Sequence, residues 1–304
     1  MYKAIRNSNG VDYMIKNAKS LKDKARNVAN ENAISIQQVL QNYMFERVLE
    51  RLSKSEYKEN FIIKGGLLLS SIMGINLRTT MDMDTNITGI NLDKEELLKI
   101  LNEVLNMDIG DNVTFKIEKV EDIKQEEYYG GYQFKIIATY ENIKVQFHMD
   151  VSTGDVITPR AIEYKYKKLF DNSYIDILSY NQETIIAEKL QSILERKIIN
   201  SRMKDYYDLY FFVNYRWDSI DKGILSEAII RTFSVRNSIT ELRNIRETIQ
   251  TLENNPFLNR LWLDYSKKHE YSKNVSFNDT IKAIEIIEET IFYGNEIKLS
   301  VTHN

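Results

Sequence analysis

The feature that most narrows the fold is a change in the spacing of apolar residues along a chain that has almost no breakers. Only 2 prolines stand among 304 residues, and the 11 glycines are localised, so few positions can interrupt a helix or strand. Over residues 21–52 apolar side chains recur at helical spacing: Ala25, Val28 and Ala29, then Ile36, Val39, Leu40, Tyr43, Met44, Val48 and Leu52. This predicts two amphipathic helices broken near Asn32. Residues 113–120, 132–140 and 143–151 alternate instead, with Phe134, Ile136 and Ala138, then Val145, Phe147 and Met149, marking one face each. They read as antiparallel strands, with Gly130 and Gly131 beside one turn and Glu141-Asn142 as a tight hairpin. Beyond Asn181 the helical period returns through residues 184–198, 204–213, 226–233, 239–252 and 279–292. The order predicts an α+β chain: N-terminal helices packed on the core over 1–60, a mixed core over 61–180, and a helical C-terminal domain over 181–304. The last boundary is soft and falls within 165–181.

Composition excludes several classes of function. With 43% hydrophobic and 28% charged residues the chain is globular in type. It has no cysteine, which removes disulfides, thiolate nucleophiles and zinc–sulfur sites and suits a reducing cytosol. His148, His269 and His303 are too scattered for a histidine metal cluster. Residues 1–10 are polar, and no stretch offers the run of about 18 apolar residues that a membrane helix needs, so a cytoplasmic location is expected. Net charge is −3. Residues 1–60 nevertheless carry 11 Lys or Arg against 7 Asp or Glu, and Lys165, Lys167 and Lys168 form a second basic run. These are either a phosphate-binding surface or, as surface charges more often are, solvated faces.

The chemistry concentrates in Lys64-Gly65-Gly66-Leu67-Leu68-Leu69 and in Arg78-Thr79-Thr80-Met81-Asp82-Met83-Asp84. Two glycines before an apolar helical turn let the backbone approach a ligand, with the N–H groups of the helix start directed at an anion. Asp82 and Asp84, at i and i+2 of a strand, point to the same side. Like charges so close disfavour one another's ionisation, whereas a hard divalent cation such as Mg²⁺ takes ligands of this kind. Asp150 closes the strand 143–151 on the face of Gln146 and His148. If that strand lies near Asp82 and Asp84, three carboxylates converge and can hold two metal ions. Asp155, in the following loop, competes for the third place.

Farther on, Ile186, Leu190 and Ile193 form a buried helical stripe, with Lys189 and Arg196 seven apart on an adjacent one. Beside a triphosphate, two such cations would bind its oxygens. Arg202, Asp205 and Asp208 share a broad helix face, and one internal salt bridge would leave one carboxylate without a partner. Tyr206 or Tyr207 could stack on a base, although core packing is the commoner use of such residues.

At these motifs the chain resembles the AbiEii/AbiGii toxin family, within the superfamily that shares the DNA polymerase β nucleotidyltransferase fold. Gly65-Gly66 with Arg78 through Asp84, Glu188-Lys189-Leu190 with Arg196, and Arg202-Met203-Lys204-Asp205-Tyr206-Tyr207-Asp208-Leu209 match its motifs, from about residue 12 to the C-terminal helices. Gly66 stands where the superfamily has Ser, and Thr80 where Arg-x-Ser is usual. The resemblance implies a polymerase β-like core, a mixed sheet with flanking helices, plus a helical C-terminal domain. It implies Mg²⁺, two ions or Mn²⁺ in their place, held by Asp82, Asp84 and Asp150. Lys64, Gly65, Gly66, Arg78, Thr80, Lys189 and Arg196 would bind the nucleotide, and Asp82, Asp84, Lys189 and Asp205 or Asp208 would serve catalysis.

The implied activity is transfer of a nucleotide from an NTP to the 3′ acceptor end of tRNA. The protein would be the toxin of a type IV toxin–antitoxin, abortive-infection or phage-defence system, opposed by a cognate antitoxin of the transcriptional-regulator type. The alternatives are transfer to a protein or small molecule, or a noncatalytic nucleic-acid-binding module using the helices around Asn32. On the second of those helices Arg47 and Arg51 are the only basic residues over 36–52.

Overall fold

The break near Asn32 is made by capping at both sides. In the computed structural model, which describes residues 15–123 and 130–293, helix α1 (Ala18–Asn32) starts at Asn17, whose side chain accepts the Ser20 N–H at 2.9 Å. It stops where Ala33 turns to φ 53°. Helix α2 (Ile36–Lys54) restarts at Ser35, which exchanges hydrogen bonds with Gln38 in a capping box. Expectations for residues 1–14 and 294–304, His303 among them, lie outside the described residues.

The core is a seven-stranded mixed sheet. Its strands are β1 (Phe61–Lys64), β2 (Asp82–Ile87), β3 (Thr114–Asp122), β4 (Gly131–Tyr140), β5 (Ile143–Ser152), β6 (Ile162–Lys167) and β7 (Tyr174–Ser179), in the order β3-β4-β5-β2-β1-β7-β6. The β3-β4-β5 meander is antiparallel, with Tyr140 opposite Ile143 across the Glu141-Asn142 turn, as the alternation predicts. Strand β2 then pairs parallel with β5 and antiparallel with β1, and β1 pairs parallel with β7. Phe134, Ile136, Ala138, Val145, Phe147 and Met149 are all buried on the face that meets α2 and α4 (Lys94–Leu105).

Helix α3 (Gly65–Met73) follows β1 directly. The C-terminal part runs through α5 (Gln182–Arg196), α6 (Met203–Phe211), α7 (Lys222–Val235), α8 (Ile239–Arg243), α9 (Ile245–Glu253), α10 (Pro256–Lys268) and α11 (Phe277–Tyr293). The single helix expected over 239–252 is two, because its backbone breaks at Asn244, which caps both. Strands β1, β6 and β7 and helices α4 and α10 were not singled out by spacing. No described helix is long and apolar enough to cross a membrane.

Helix α2 is no groove reader. Arg51 is buried and grips Asp111 through two hydrogen bonds, of 2.7 and 2.8 Å, while donating to the Val113 carbonyl. Arg47 is buried and paired with Glu50 at 2.9 Å. Both cations serve packing, so the helix–turn–helix alternative lacks its basic face. The other basic run is also partly spent, Lys165 on Asp176 and Lys168 on Glu50. Arg51→Ala strands the Asp111 carboxylate and the Val113 carbonyl where α2 meets β3. Urea unfolding is expected to show a loss of about 3 kcal/mol, against a near-neutral Lys99→Ala on the exposed side of α4.

Candidate active site

The site begins where α3 leaves β1. Gly65 adopts φ +61°, a region L side chains avoid, and a Cβ there would lie 1.9 Å from Asp84 Oδ2. A Cβ on Gly66 would lie 2.4 Å from Thr80 Oγ1. The paired glycines therefore let β2 and its approach press against the helix start, and the Gly66 N–H donates to Asp84 Oδ2 at 3.1 Å. Thr80 takes the volume that a serine at position 66 would need. Its hydroxyl donates to the Asp82 carbonyl at 3.1 Å, fixing the entry to the strand.

Parallel pairing of β2 with β5 sets Asp84 opposite Asp150 and Asp82 opposite His148. The three carboxylates thus leave adjacent backbones on one face. Each is engaged separately: Asp84 with Gly66, Asp82 with His148 Nδ1 at 3.4 Å, and Asp150 Oδ1 with Gln133 Nε2 at 2.9 Å. Among the described residues no three His, Cys, Asp or Glu side chains are gathered into a ready ligand set. Burial lifts the Asp150 carboxyl to about 6, and although Gln133 opposes the shift, Asp84 and Asp82 add to it. Uncompensated negative charge on hard oxygen donors is what a divalent cation would relieve, so the chemistry of the three residues fits Mg²⁺. Asp155 does not compete for that place. It is bound by Lys64, by Tyr180 Oη at 3.0 Å and by Arg236 at 3.3 Å.

Across a cleft of about 490 Å³ stand the helical residues, with Gly65, Asp84 and Asp150 on one wall and Lys189, Arg196 and Arg202 on the other. Lys189 Nζ lies 2.7 Å from Asp205 and 2.6 Å from Asp208, all three being buried or nearly so. Burial works against both charges. The two carboxylates outweigh it and raise the Lys189 pKa, while Lys189 and Arg202 hold Asp205 below the usual carboxylate range. Asp208 is also clasped by Arg78 Nε at 2.9 Å, with neither side chain more than 5% exposed.

Several expectations change here. Neither Asp205 nor Asp208 is left without a partner, because cations arrive from α5 and from the segment before β2. Arg78 is buried on Asp208 and does not line the cleft, and Lys64 lines it with its ammonium turned to Asp155 and Ser152. Tyr206 and Tyr207 are core residues, packed on Phe277 and Tyr271 at ring separations of 5.3 and 4.7 Å, so neither is offered to a base.

Sequence reasoning missed Gln133 and Arg236, and Glu188 entered it only through the matched motif. Gln133 was within reach, since a two-residue turn at 141–142 that sets Tyr140 against Ile143 also sets Gln133 against Asp150. Arg236, bonded to Glu188 at 2.6 Å and to Gln191 at 2.9 Å, caps the end of α7 with no local signature. Burial, with Asp155 adding, pushes the Glu188 carboxyl up to about 7.

A glycine-started helix against a strand carrying Asp-x-Asp, a third carboxylate on the parallel neighbour, and a facing lysine define an enzyme of the nucleotidyltransferase class. Residues 47–283 match the family model described as nucleotidyl transferase AbiEii toxin, type IV TA system, and the chain belongs to that family. No curated protein matches the chain. Among solved structures, JHP933 from Helicobacter pylori is 13% identical over 86% of this chain and 95% of its own, with a TM-score of 0.49. A second H. pylori structure is 12% identical over 86% and 99%, with a TM-score of 0.47. An antigenic nucleotidyltransferase-like protein from Paracoccidioides brasiliensis is 14% identical over 78% and 92%, with a TM-score of 0.29.

Two outcomes follow from the geometry. Asp150 has a folded pKa above its unfolded value, so its protonated form is the one the fold favours. That contribution is present below the unfolded pKa, about 4, and is lost as pH rises through about 6. Metal-free Asp150→Asn should therefore gain in melting temperature relative to wild type between pH 5 and pH 7, and Mg²⁺ should raise the wild type selectively. Gly65→Ala must displace Asp84, and nucleotide transfer should fall by about a hundredfold, with circular dichroism showing a folded protein.

Proposed function

We propose that the protein transfers a nucleoside monophosphate from an NTP to the 3′ acceptor end of tRNA, as the toxin that its cognate antitoxin opposes. The observation that carries this reading is the β2–β5 register, which sets Asp84 beside Asp150 under the start of α3. Asp82, Asp84 and Asp150 are the residues suited to hold Mg²⁺, which when bound would supply positive charge for the reacting phosphate oxygens.

The chain's own groups account for the rest. The positive end of α3, which reaches the cleft at Gly65, faces the phosphates, while the Gly66 N–H holds Asp84. Lys189 faces them from the opposite wall with Arg196 and Arg202. Fixed by Asp205 and Asp208, the Lys189 ammonium is oriented before the nucleotide arrives, so little reorganisation is needed as charge gathers on the departing pyrophosphate. The acceptor hydroxyl forms a bond to the α-phosphorus, the bond from that phosphorus to the pyrophosphate oxygen breaks, and the hydroxyl proton passes to the Asp150 oxygen that Gln133 does not hold. Asp205 and Asp208, both committed to cations, act as positioning residues for Lys189.

Incubation of wild type and Asp82→Ala with Mg²⁺, total tRNA and each of four α-labelled NTPs in turn tests the reading on a denaturing gel. Label is expected in tRNA with the wild type only, in a lane that reveals the preferred base. Label in protein or a metabolite instead would move the acceptor away from tRNA.

A further inference from the structure

Beyond the carboxylates, the cleft-side face of β3, β4 and β5 is open to solvent, and its side chains form rows across the sheet because cross-strand partners share a face. The first row holds Asp84, Asp150, Gln133 and Glu121. Every later row carries a lysine. Asp82 and His148 align with Lys135 and Lys119, Gln146 and Ile137 align with Lys116, and Lys144 aligns with Thr139 and Thr114. Successive rows are two residues apart, about 7 Å, which is near the separation of successive phosphates in an extended single strand. From Asp150 to Lys144 the face runs about 20 Å.

Charge supports a polyanion here. The chain as a whole carries −3, yet beyond the first row this face, with the bulge at Glu118 in β3, presents Lys116, Lys119, Lys135 and Lys144 against Asp82 and Glu118, with Glu121 in the first row. Glu118 lies 3.0 Å from Lys135, and Glu121 lies 2.7 Å from Lys119. Lys116 and Lys144 are exposed and make no ion pair among the described residues. Gln146, also exposed, and Thr139 add neutral hydrogen-bonding groups between them. Side chains presented at a regular step by a rigid sheet, with no acid in the last two rows, match a repeating phosphate backbone better than a folded protein surface.

We infer that this sheet face binds the single-stranded 3′ end of the RNA acceptor, with Lys135, Lys116 and Lys144 contacting successive phosphates and the terminal hydroxyl delivered to Asp150. The inference rests on the RNA-acceptor reading above and adds the path the acceptor takes. Glutamate at Lys116 or Lys144 reverses charge on an exposed strand position without uncovering a buried partner, so the fold is preserved.

The test compares wild type, Lys116→Glu/Lys144→Glu, and a control charge reversal, Lys94→Glu/Lys99→Glu, on the exposed side of α4. The KM for tRNA and for the labelled NTP is measured over a salt series. The sheet variant should raise the KM for tRNA by about tenfold and reduce its log–log salt slope by about 1.4, two single-strand contacts' worth. The KM for NTP and the control should stay near wild type. Where both KM values move together, Lys116→Gln/Lys144→Gln is used, and it must raise the tRNA KM alone. An unchanged tRNA KM in an enzyme that still labels tRNA overturns the sheet-face path and leaves the acceptor reading standing. A wild type that labels protein and no RNA overturns both.

Discussion

The structure turns on a buried ammonium held between two carboxylates. Lys189 on α5 meets Asp205 and Asp208 on α6, and Asp208 reaches on to Arg78 in the segment that feeds β2. Hydrophobic packing alone would set the distance between the helices and the sheet loosely, because apolar contact is non-directional. A closed set of buried charges is different. Removing one member leaves its partners charged without compensation, a cost of about 3–5 kcal/mol, so any sliding of α6 that breaks the set is opposed. The two buried cations, Lys189 and Arg78, balance the two buried carboxylates, and the exposed Arg202 adds a contact to Asp205 from the rim at 3.3 Å. The strand bearing Asp82 and Asp84 is thereby placed relative to the helix bearing Lys189, and the cleft between them acquires a fixed width.

What could be read from the sequence was what local period encodes. The β3-β4-β5 meander follows from alternation and a two-residue turn, and the helices of the N- and C-terminal segments follow from the 3.6-residue period. The glycine pair and Asp-x-Asp were legible because each breaks a local preference, Gly inside a helix start and Asp within a strand. Strand β1 was not. Phe-Ile-Ile-Lys has three apolar residues in a row and no period to read, and its place between β2 and β7 is decided by tertiary pairing. Partner choice was the other blind spot. Nothing near Arg78 announces Asp208, 130 positions away, and nothing near Lys64 announces Asp155. Both cations looked like phosphate ligands because a basic residue beside a glycine turn or an Asp-x-Asp is chemically suited to that role, and the structure spends both on internal acids.

Positions 66 and 80 are fitted to one another. Thr80 Oγ1 occupies the space that a side chain on residue 66 would take. A Cβ at 66 would lie 2.4 Å from Thr80 Oγ1 and 2.7 Å from Thr80 Cβ, so this backbone takes glycine at 66 unless Thr80 is displaced. The hydroxyl kept at Thr80, on the approach of β2, holds the Asp82 carbonyl. A hydrogen-bonding group remains beside the start of α3, carried by a different segment.

The two walls of the cleft differ in charge, carboxylates on the strand side and cations set among their own acids on the helical side. Three carboxylates line one strand pair, with Asp150 pushed up to about 6 by burial and by its acidic neighbours. Arg196 and Arg202 stand beside Lys189 on the facing helices. Direct ion pairing between the walls would close the cleft, and the charge set around Lys189 prevents this by committing that lysine to its own acids. A ligand that satisfies both walls must present anionic oxygens to the helices and a cationic centre to the strands. Under the proposed reading an NTP with its divalent ion has that polarity. The lysine rows beginning at Asp82 then place a second cationic surface on the sheet, away from the helices, so the nucleotide and a polyanionic acceptor approach the carboxylates from different sides. That separation lets one acidic centre serve two anionic substrates without their repelling each other from a shared pocket.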